Sequence, residues 1–139
     1  MPNSATFRLE YPPTANNLFR TLTKGPLAGR RVLTGEAQAY RKGVGQQLVA
    51  QRVPRRVLTG KLTVKIVVRP PDRRARDLDN VCKAILDSLK VAELFADDSD
   101  IDELYVVRGT PQKPGHVVVS VAEIAGEATD SGELFGATA

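Results

Sequence analysis

The chain has 139 residues, 42% of them hydrophobic and 26% charged, with a formal net charge of +4 at pH 7. This length suits one domain with a substantial core and is short for two. A single cysteine and a single histidine exclude intramolecular disulfides and Cys/His zinc clusters, and no run reaches the ~20 apolar residues of a membrane helix.

The first half of the chain predicts one strand, a basic loop and one helix. Residues 5–11 alternate apolar and polar side chains and stop at Pro12, which is typical of a short strand near a sheet edge. Residues 14–32 combine glycine, proline and cations without a sustained period, so we expect an irregular, mobile basic segment. Thr34 can cap a helix over residues 35–51. Its apolar positions recur at helical spacing: Ala37, Tyr40, Val44 and Leu48.

The second half predicts a strand, a helix and a final pair of strands. Alternating apolar residues indicate a half-buried strand that ends at Pro70. A helix follows over about residues 80–91, with Asp79 or Asn80 as its cap and Cys82 within its apolar stripe. Residues 101–109 and 116–124 read as two strands joined by a turn. His116 is expected to be a strand residue.

These elements give the order β-α-β-α-β-β. We predict an α/β (α+β) domain over residues 1–124, with a mixed sheet packed against two helices. Residues 125–139 are small and polar without a period, so a disordered tail is predicted there. The protein is expected to be soluble and cytoplasmic, with no membrane partner.

Charge is divided along the chain. Residues 1–76 carry 16 Lys and Arg against three acidic residues, whereas residues 77–139 carry 4 against 13. Such a division suggests a part that binds a polyanion and an acidic part that would repel it unless cations intervene. Nucleic acid with a divalent metal fits both halves, although the two halves could equally neutralise each other in the fold.

The boundary between the halves falls within the sequence RRARDLDNVCK, residues 73–83. Asp77 and Asp79 would share one face if the backbone between them is extended, and Lys83 lies one helical turn beyond Asp79. A carboxylate from the later acidic loop, Asp97 or Asp98, can join them if the loop folds back. Three carboxylates in one cleft require a cation, and Mg²⁺ or Mn²⁺ suits such oxygen ligands.

This arrangement suits phosphodiester hydrolysis, in which a metal-bound water attacks while the metal and Lys83 offset charge on the phosphate oxygens. A structural explanation also remains open, with Asp79 as a helix cap, a solvated acidic loop and a Lys83–Asp87 helix pair. The acidic loop does not fit a calcium-binding EF-hand, because Glu103 replaces the required glycine and Gly109 the required glutamate.

Four segments resemble the RusA family of Holliday junction resolvases: YPPTANNLFR, TGEAQAYR, RRARDLDNVCKAILDSL and FADDSDID. The family's central motifs are R-D-x-D-N-x-x-K and a downstream D-D. The resemblance implies a small homodimeric endonuclease with the same fold, which cuts four-way DNA junctions with Mg²⁺, or with Mn²⁺ in its place. By motif position, it implies a catalytic Lys83 and metal-binding carboxylates at Asp77, Asp79 and Asp98, with Asp97 as a further metal candidate.

The DNA contacts are expected from the arginines of the motif and from the basic segment before the first helix. The candidate residues are Arg69, Arg73, Arg74, Arg76, Asn80, Asn16, Arg20, Lys24, Arg30 and Arg31. A junction has approximate two-fold symmetry and this chain has one carboxylate motif, so a homodimer is predicted to supply both cuts. Two other classes remain: a non-catalytic branched-DNA binding module and a metal-dependent nucleotide hydrolase.

Overall fold

The computed structural model describes residues 3–13, 19–55 and 58–124, including the backbone but not the side chain of Asp98. The predicted tail over residues 125–139 therefore lies outside the described residues, as does Asn16. The helices and strands, in chain order, are β1 (Ser4–Glu10), β2 (Phe19–Thr21), β3 (Arg31–Leu33), α1 (Gly35–Ala50), β4 (Leu62–Arg69), α2 (Leu78–Val91), β5 (Ile101–Arg108) and β6 (His116–Glu123).

The main sheet has the strand order β1-β6-β4-β5. Strand β6 is antiparallel to both β1 and β4, whereas β5 is parallel to β4. The parallel pair is possible because α2 carries the chain back across the sheet between β4 and β5. The predicted mixed sheet with two helices is thus confirmed.

One face of this sheet is covered by the two helices. In β4 and β6 every second residue points into the core, as the alternating sequence predicted. The predicted stripe of α1 is buried as a set: Ala37, Tyr40, Val44 and Leu48. Cys82 of α2 is a buried core residue, and His116 is the buried first residue of β6, as expected.

The helices α1 and α2 lie side by side and run in the same direction. Residues 37–41 of α1 and 84–88 of α2 line one small cavity, while residues 45–49 and 91–92 line another. The first turns of both helices therefore lie at the same end of the molecule. Neither helix is long and apolar enough to cross a bilayer, and no other helix in the described ranges is.

The basic segment before α1 is a β-hairpin in part, and the prediction of a wholly irregular loop was wrong there. Strands β2 and β3 pair antiparallel, from Phe19 opposite Leu33 to Thr21 opposite Arg31. Phe19 and Leu33 pack against Ala37 of α1 and Ala84 of α2. This contact anchors the basic hairpin, defined here as residues 19–33, beside the first half of α2.

The two outer edges of the main sheet differ. At β1, the Gln51 side chain accepts a hydrogen bond from the Arg8 amide at 2.8 Å and donates one to the Arg8 carbonyl at 2.6 Å. Gln47 accepts from the Glu10 amide, and Tyr40 donates to the Glu10 carbonyl, both at 2.8 Å. Side chains of α1 thus close the β1 edge. At β5, no hydrogen bond from the described part of the chain reaches the outer edge.

Candidate functional site

The motif of Arg73 to Lys83 lies where the loop after β4 enters α2. Helix α2 begins at Leu78, two residues earlier than predicted, and Asp77 is its N-cap residue with an extended backbone (φ −85°, ψ 130°). The prediction that Asp79 or Asn80 caps the helix was wrong. The Asp77 side chain makes no capping hydrogen bond, so its carboxylate does not serve the helix end.

The loop before Asp77 is held by Arg76. Its guanidinium forms an ion pair with Asp72 at 2.7 Å and lies over the Tyr11 ring, 5.6 Å from the ring centroid. The hydrogen bond from Arg76, together with the Arg74 amide, lowers the pKa of Asp72 to about 2. Asp72 therefore stays ionised at every pH at which enzyme activity is assayed, and its ion pair with Arg76 is kept over the same pH range.

A second tether reaches this loop from β5. The Arg108 side chain donates a hydrogen bond to the Arg76 carbonyl oxygen. The end of an edge strand is therefore attached to the residue immediately before Asp77. Neither Asp72 nor Arg108 was among the predicted site residues. The turn-forming sequence Pro70-Pro71-Asp72 could have indicated the first, but no local signal links Arg108 to a residue 32 positions earlier.

Asp79 and Lys83 face a common cavity. This open cavity of about 500 Å³ lies between α2 and β5, and we call it the α2 groove. Its lining residues are Leu78, Asp79, Cys82, Lys83, Leu86, Asp87, Leu104 and Val106. Asp79 and Lys83 are exposed at its polar rim, whereas leucine and valine side chains form much of the wall. The structure thus brings together the second carboxylate and the lysine of the motif.

Asp79 lies in the first turn of α2, and its carboxylate accepts a hydrogen bond from the Asn80 amide at 2.9 Å. A negative charge at this position is stabilised by the helix dipole. Among the described side chains, Lys83 forms no ion pair with Asp87 or Asp79 within 4.0 Å. The purely structural explanation of the motif, with an Asp79 cap and a Lys83–Asp87 pair, therefore does not hold.

The acidic loop after α2 is only partly described. Asp97 accepts a hydrogen bond from the Ser99 hydroxyl at 2.7 Å and forms an ion pair with Lys90 at 3.1 Å. Asp98 begins a single turn of 3-10 helix that ends at Asp100. Among the side chains that the structure describes, no three Asp, Glu, His or Cys residues lie close enough to hold a metal ion. The predicted cluster of Asp77, Asp79 and Asp98 stays a prediction, because the Asp98 side chain is outside that description.

The predicted DNA contacts fall into two groups around α2. Arg73 and Arg74 are exposed on the loop before the helix, and Arg74 also lies 3.8 Å from Asp72. Arg69 donates to the Thr110 hydroxyl at 2.8 Å and thereby braces the end of β4. Asn80 is exposed in the first turn of α2.

The second group belongs to the basic hairpin, where three cations are exposed: Arg20, Lys24 and Arg30. Arg31 is exposed too and lies over the Phe19 ring, 4.9 Å from the centroid. Because the hairpin packs on Ala84 while the α2 groove lies on the side of Asp79 and Lys83, the two features flank the first half of α2. The exposed cations of the hairpin thus lie on one flank of α2, whereas Asp79 and Lys83 face the other.

Comparison with known proteins covers nearly the whole described chain. The model of a family described as endodeoxyribonuclease RusA matches residues 10–122. The crossover junction endodeoxyribonuclease of Enterobacteria phage HK97 is 33% identical over 122 residues, which is 88% of this chain and 97% of the relative. The proteins of the same name from Escherichia coli K12 and Enterobacteria phage 82 are each 30% identical over 125 residues, 90% of this chain and 99% of the relative.

Proposed function

The chain belongs to the RusA family of endodeoxyribonucleases, and from that premise we propose that it resolves four-way DNA junctions by hydrolysing phosphodiester bonds. The observation that carries the proposal is the start of α2, where Asp79 and Lys83 face one groove directly after a loop of exposed arginines. The helix dipole can account for the charge of Asp79, but Lys83 has no ion-pair partner among the described side chains. Relatives matched over 97% or more of their length are named for this activity.

Each charged group has a proposed task at the scissile phosphate. Arg73 and Arg74 contact phosphates of the strand and guide it towards α2. Lys83 offsets the negative charge that builds on the phosphate oxygens during attack. Arg76 has a different task, because its ion pair with Asp72 is used to hold the loop that presents Asp77.

The side chains fit a hard divalent cation. Asp77 and Asp79 are exposed, and within the described chain neither carboxylate takes part in an ion pair. The donors that softer metals prefer are buried: Cys82 lies in the apolar wall of the α2 groove, and His116 is the first residue of β6. We therefore propose Mg²⁺, with Mn²⁺ as a substitute, held by Asp77 and Asp79. Asp98 is not included, because it follows the opposite end of α2, a helix about 20 Å long. When bound, such a cation supplies Lewis-acid activation of water and of the phosphate.

A homodimer completes the proposal. Resolution of a junction requires cuts in two opposed strands of like polarity, and one chain has one R-D-x-D motif. Two copies related by a two-fold axis match the approximate two-fold symmetry of the junction. The resulting paired nicks would serve DNA recombination and repair.

A gel assay tests this function directly. Purified protein is incubated with a labelled four-way junction or with a linear duplex of the same arm sequence, in Mg²⁺, in Mn²⁺ and in EDTA. We expect nicked-duplex products from the junction in either metal, none in EDTA, and little cleavage of the linear duplex. Retarded but uncut junction in both metals would indicate a non-catalytic binding module. Equal cleavage of both DNAs would contradict junction specificity.

A further inference from the structure

A second open groove lies between the later halves of α1 and α2, and we call it the α1–α2 groove. Its volume is about 470 Å³, and two valines that are largely exposed, Val49 (63%) and Val91 (55%), form its apolar wall. Gly45 of α1 also lines it, and a Cβ atom added there would meet no atom within 4 Å. The groove is therefore open where α1 has no side chain, at a residue type that is unfavourable inside a helix.

The rim of this groove is basic. Arg41, Lys42 and Arg55 line it, and none of the described residues around it is acidic. Within the described part of the chain, none of these three cations forms an ion pair. An apolar wall with a cationic rim is complementary to a segment that combines acidic groups with large apolar side chains.

The chain contains such a segment after β6. Residues 125–139 have a net charge of −3, because they include no lysine or arginine. The acidic residues are Glu127, Asp130 and Glu133. Leu134 and Phe135, directly after Glu133, are the two large apolar residues of this stretch. The family model ends at residue 122, so the fold shared with relatives does not account for this sequence.

The chain leaves β6 close to this groove. The Glu123 carboxylate at the end of β6 accepts a hydrogen bond from the Thr59 amide at 2.7 Å, and Thr59 is four residues after Arg55. Four residues span at most ~14 Å, so Arg55 lies near the end of β6. From Glu123, the chain to Glu133 can extend over roughly 35 Å. The acidic and apolar segment can therefore reach the groove of its own chain.

We propose that residues 133–135 bind in the α1–α2 groove of the same chain. Leu134 and Phe135 cover Val49 and Val91, and Glu133 pairs with Arg55 at the rim. The free energy comes from apolar area removed from water and from opposite charges brought together at the edge of that area.

This binding makes the segment an intramolecular competitor of DNA. The three cations of the rim would otherwise attract duplex DNA of any sequence. Once the acidic segment neutralises them, the arginines of the motif and of the basic hairpin are left to contact DNA. The competitor role rests on the proposed function, whereas the binding of the segment in the groove does not.

A single tryptophan reports on the groove, because the wild-type chain has none. In Phe135→Trp, we expect emission at a shorter wavelength than that of tryptophan in water, with protection from acrylamide. Adding Gly45→Leu fills the groove, so the emission should move to longer wavelength and the protection should be lost. Gly43→Ala is the control, since it replaces a glycine of α1 that does not line the groove. It should leave the emission of Phe135→Trp unchanged.

Charge reversal tests the pair at the rim in the same reporter chain. Arg55→Glu or Glu133→Arg alone should move the Phe135→Trp emission to longer wavelength, because like charges then meet at the rim. The two substitutions together restore opposite charges, so the short-wavelength emission should return. A double variant no better than the single variants would overturn the assignment of Glu133 to Arg55.

Mixing distinguishes the chain's own groove from that of a second copy. A chain with Phe135→Trp and Gly45→Leu has a reporter and a filled groove, whereas Phe135→Ala leaves the groove free. An excess of the second chain should not change the emission of the first. Recovery of the short-wavelength emission would overturn binding within one chain. Equal emission from Phe135→Trp with and without Gly45→Leu would overturn the groove as the binding site.

Duplex binding tests the competitor role. Phe135→Ala should bind a linear duplex more tightly than wild type at low salt, and the slope of log K against log[salt] should steepen by up to ~3 if each rim cation gains a phosphate. Unchanged duplex binding would overturn this role and leave the tryptophan results standing. Failure of the wild-type protein to cut junctions would contradict the proposed function, and the fluorescence readouts do not depend on it.

Discussion

Replacement of Asp79 by asparagine should lower the cleavage rate without lowering the affinity for the junction or unfolding the protein. Asp79→Asn removes one negative charge from the rim of the α2 groove and keeps the shape of the side chain. If Asp79 holds the metal, its loss removes several kcal/mol of transition-state stabilisation, which corresponds to about 10³-fold or more in the cleavage rate. Junction binding should be unchanged or tighter, because less negative charge then faces the DNA.

The structure limits how much stability this substitution can remove. The carboxylate of Asp79 is exposed, and its one described hydrogen bond accepts the Asn80 amide at 2.9 Å. An asparagine side-chain oxygen can accept the same bond. Only the interaction with the helix dipole is lost, about 0.3–1 kcal/mol, which lowers the unfolding midpoint of a chain of this size by no more than roughly 5 °C. Loss of activity at 25 °C therefore cannot be attributed to unfolding.

Asp87→Asn is the matched control, because Asp87 lines the same groove two turns further along α2. Single-turnover cleavage of a labelled junction gives the rate, gel retardation in EDTA gives the affinity, and thermal unfolding gives the midpoint. We expect Asp87→Asn to cut at close to the wild-type rate. Wild-type cleavage by Asp79→Asn, or an equal loss in both variants, would refute the role of Asp79 in metal binding.

Three further outcomes are expected. Replacing Arg73 and Arg74 together by alanine should flatten the slope of log K against log[salt] by up to ~2, and an unchanged slope would make both arginines structural. Mixing wild-type and Asp79→Asn subunits should give heterodimers that nick one strand, whereas efficient resolution by the mixture would contradict paired cleavage. Burial, assisted by Arg8 and Arg69, lowers the pKa of His116, so the unfolded chain binds this proton more readily. Denaturant titrations should show the unfolding free energy decreasing as the pH falls below about 6.5, and His116→Leu should lose that decrease between pH 7.5 and 5.5.

The sequence predicted the elements whose side chains follow a regular period. The buried stripe of α1 and the alternation in β4 are local patterns, so no distant contact was needed to find them. The basic hairpin was missed because β2 and β3 have three residues each, too few to show a period. The hairpin is held in place by packing of Phe19 against Ala84, which lies 65 positions further along the chain.

At the candidate site, the sequence identified the charged residues but not how the loop presents them. The start of α2 was placed two residues late because Asp79 and Asn80 are good capping residues by type. In the structure Asp77 takes the cap position with its carboxylate unused, and the preceding residue is fixed by distant groups: Arg108 bonds its carbonyl and Tyr11 lies against its side chain. Contacts of that kind have no counterpart in local sequence.

The glutamines of α1 that occupy the β1 edge also limit how far the molecule can assemble. A sheet with two open edges can add chains at both ends, and each added chain offers a new end, so growth continues into filaments. Here Gln47 and Gln51 close the β1 edge with side-chain hydrogen bonds. Of the two edges, β5 is the one whose outer side is reached by no hydrogen bond from the described residues. A foreign strand therefore cannot pair with β1, so the main sheet cannot be extended from both edges into a filament.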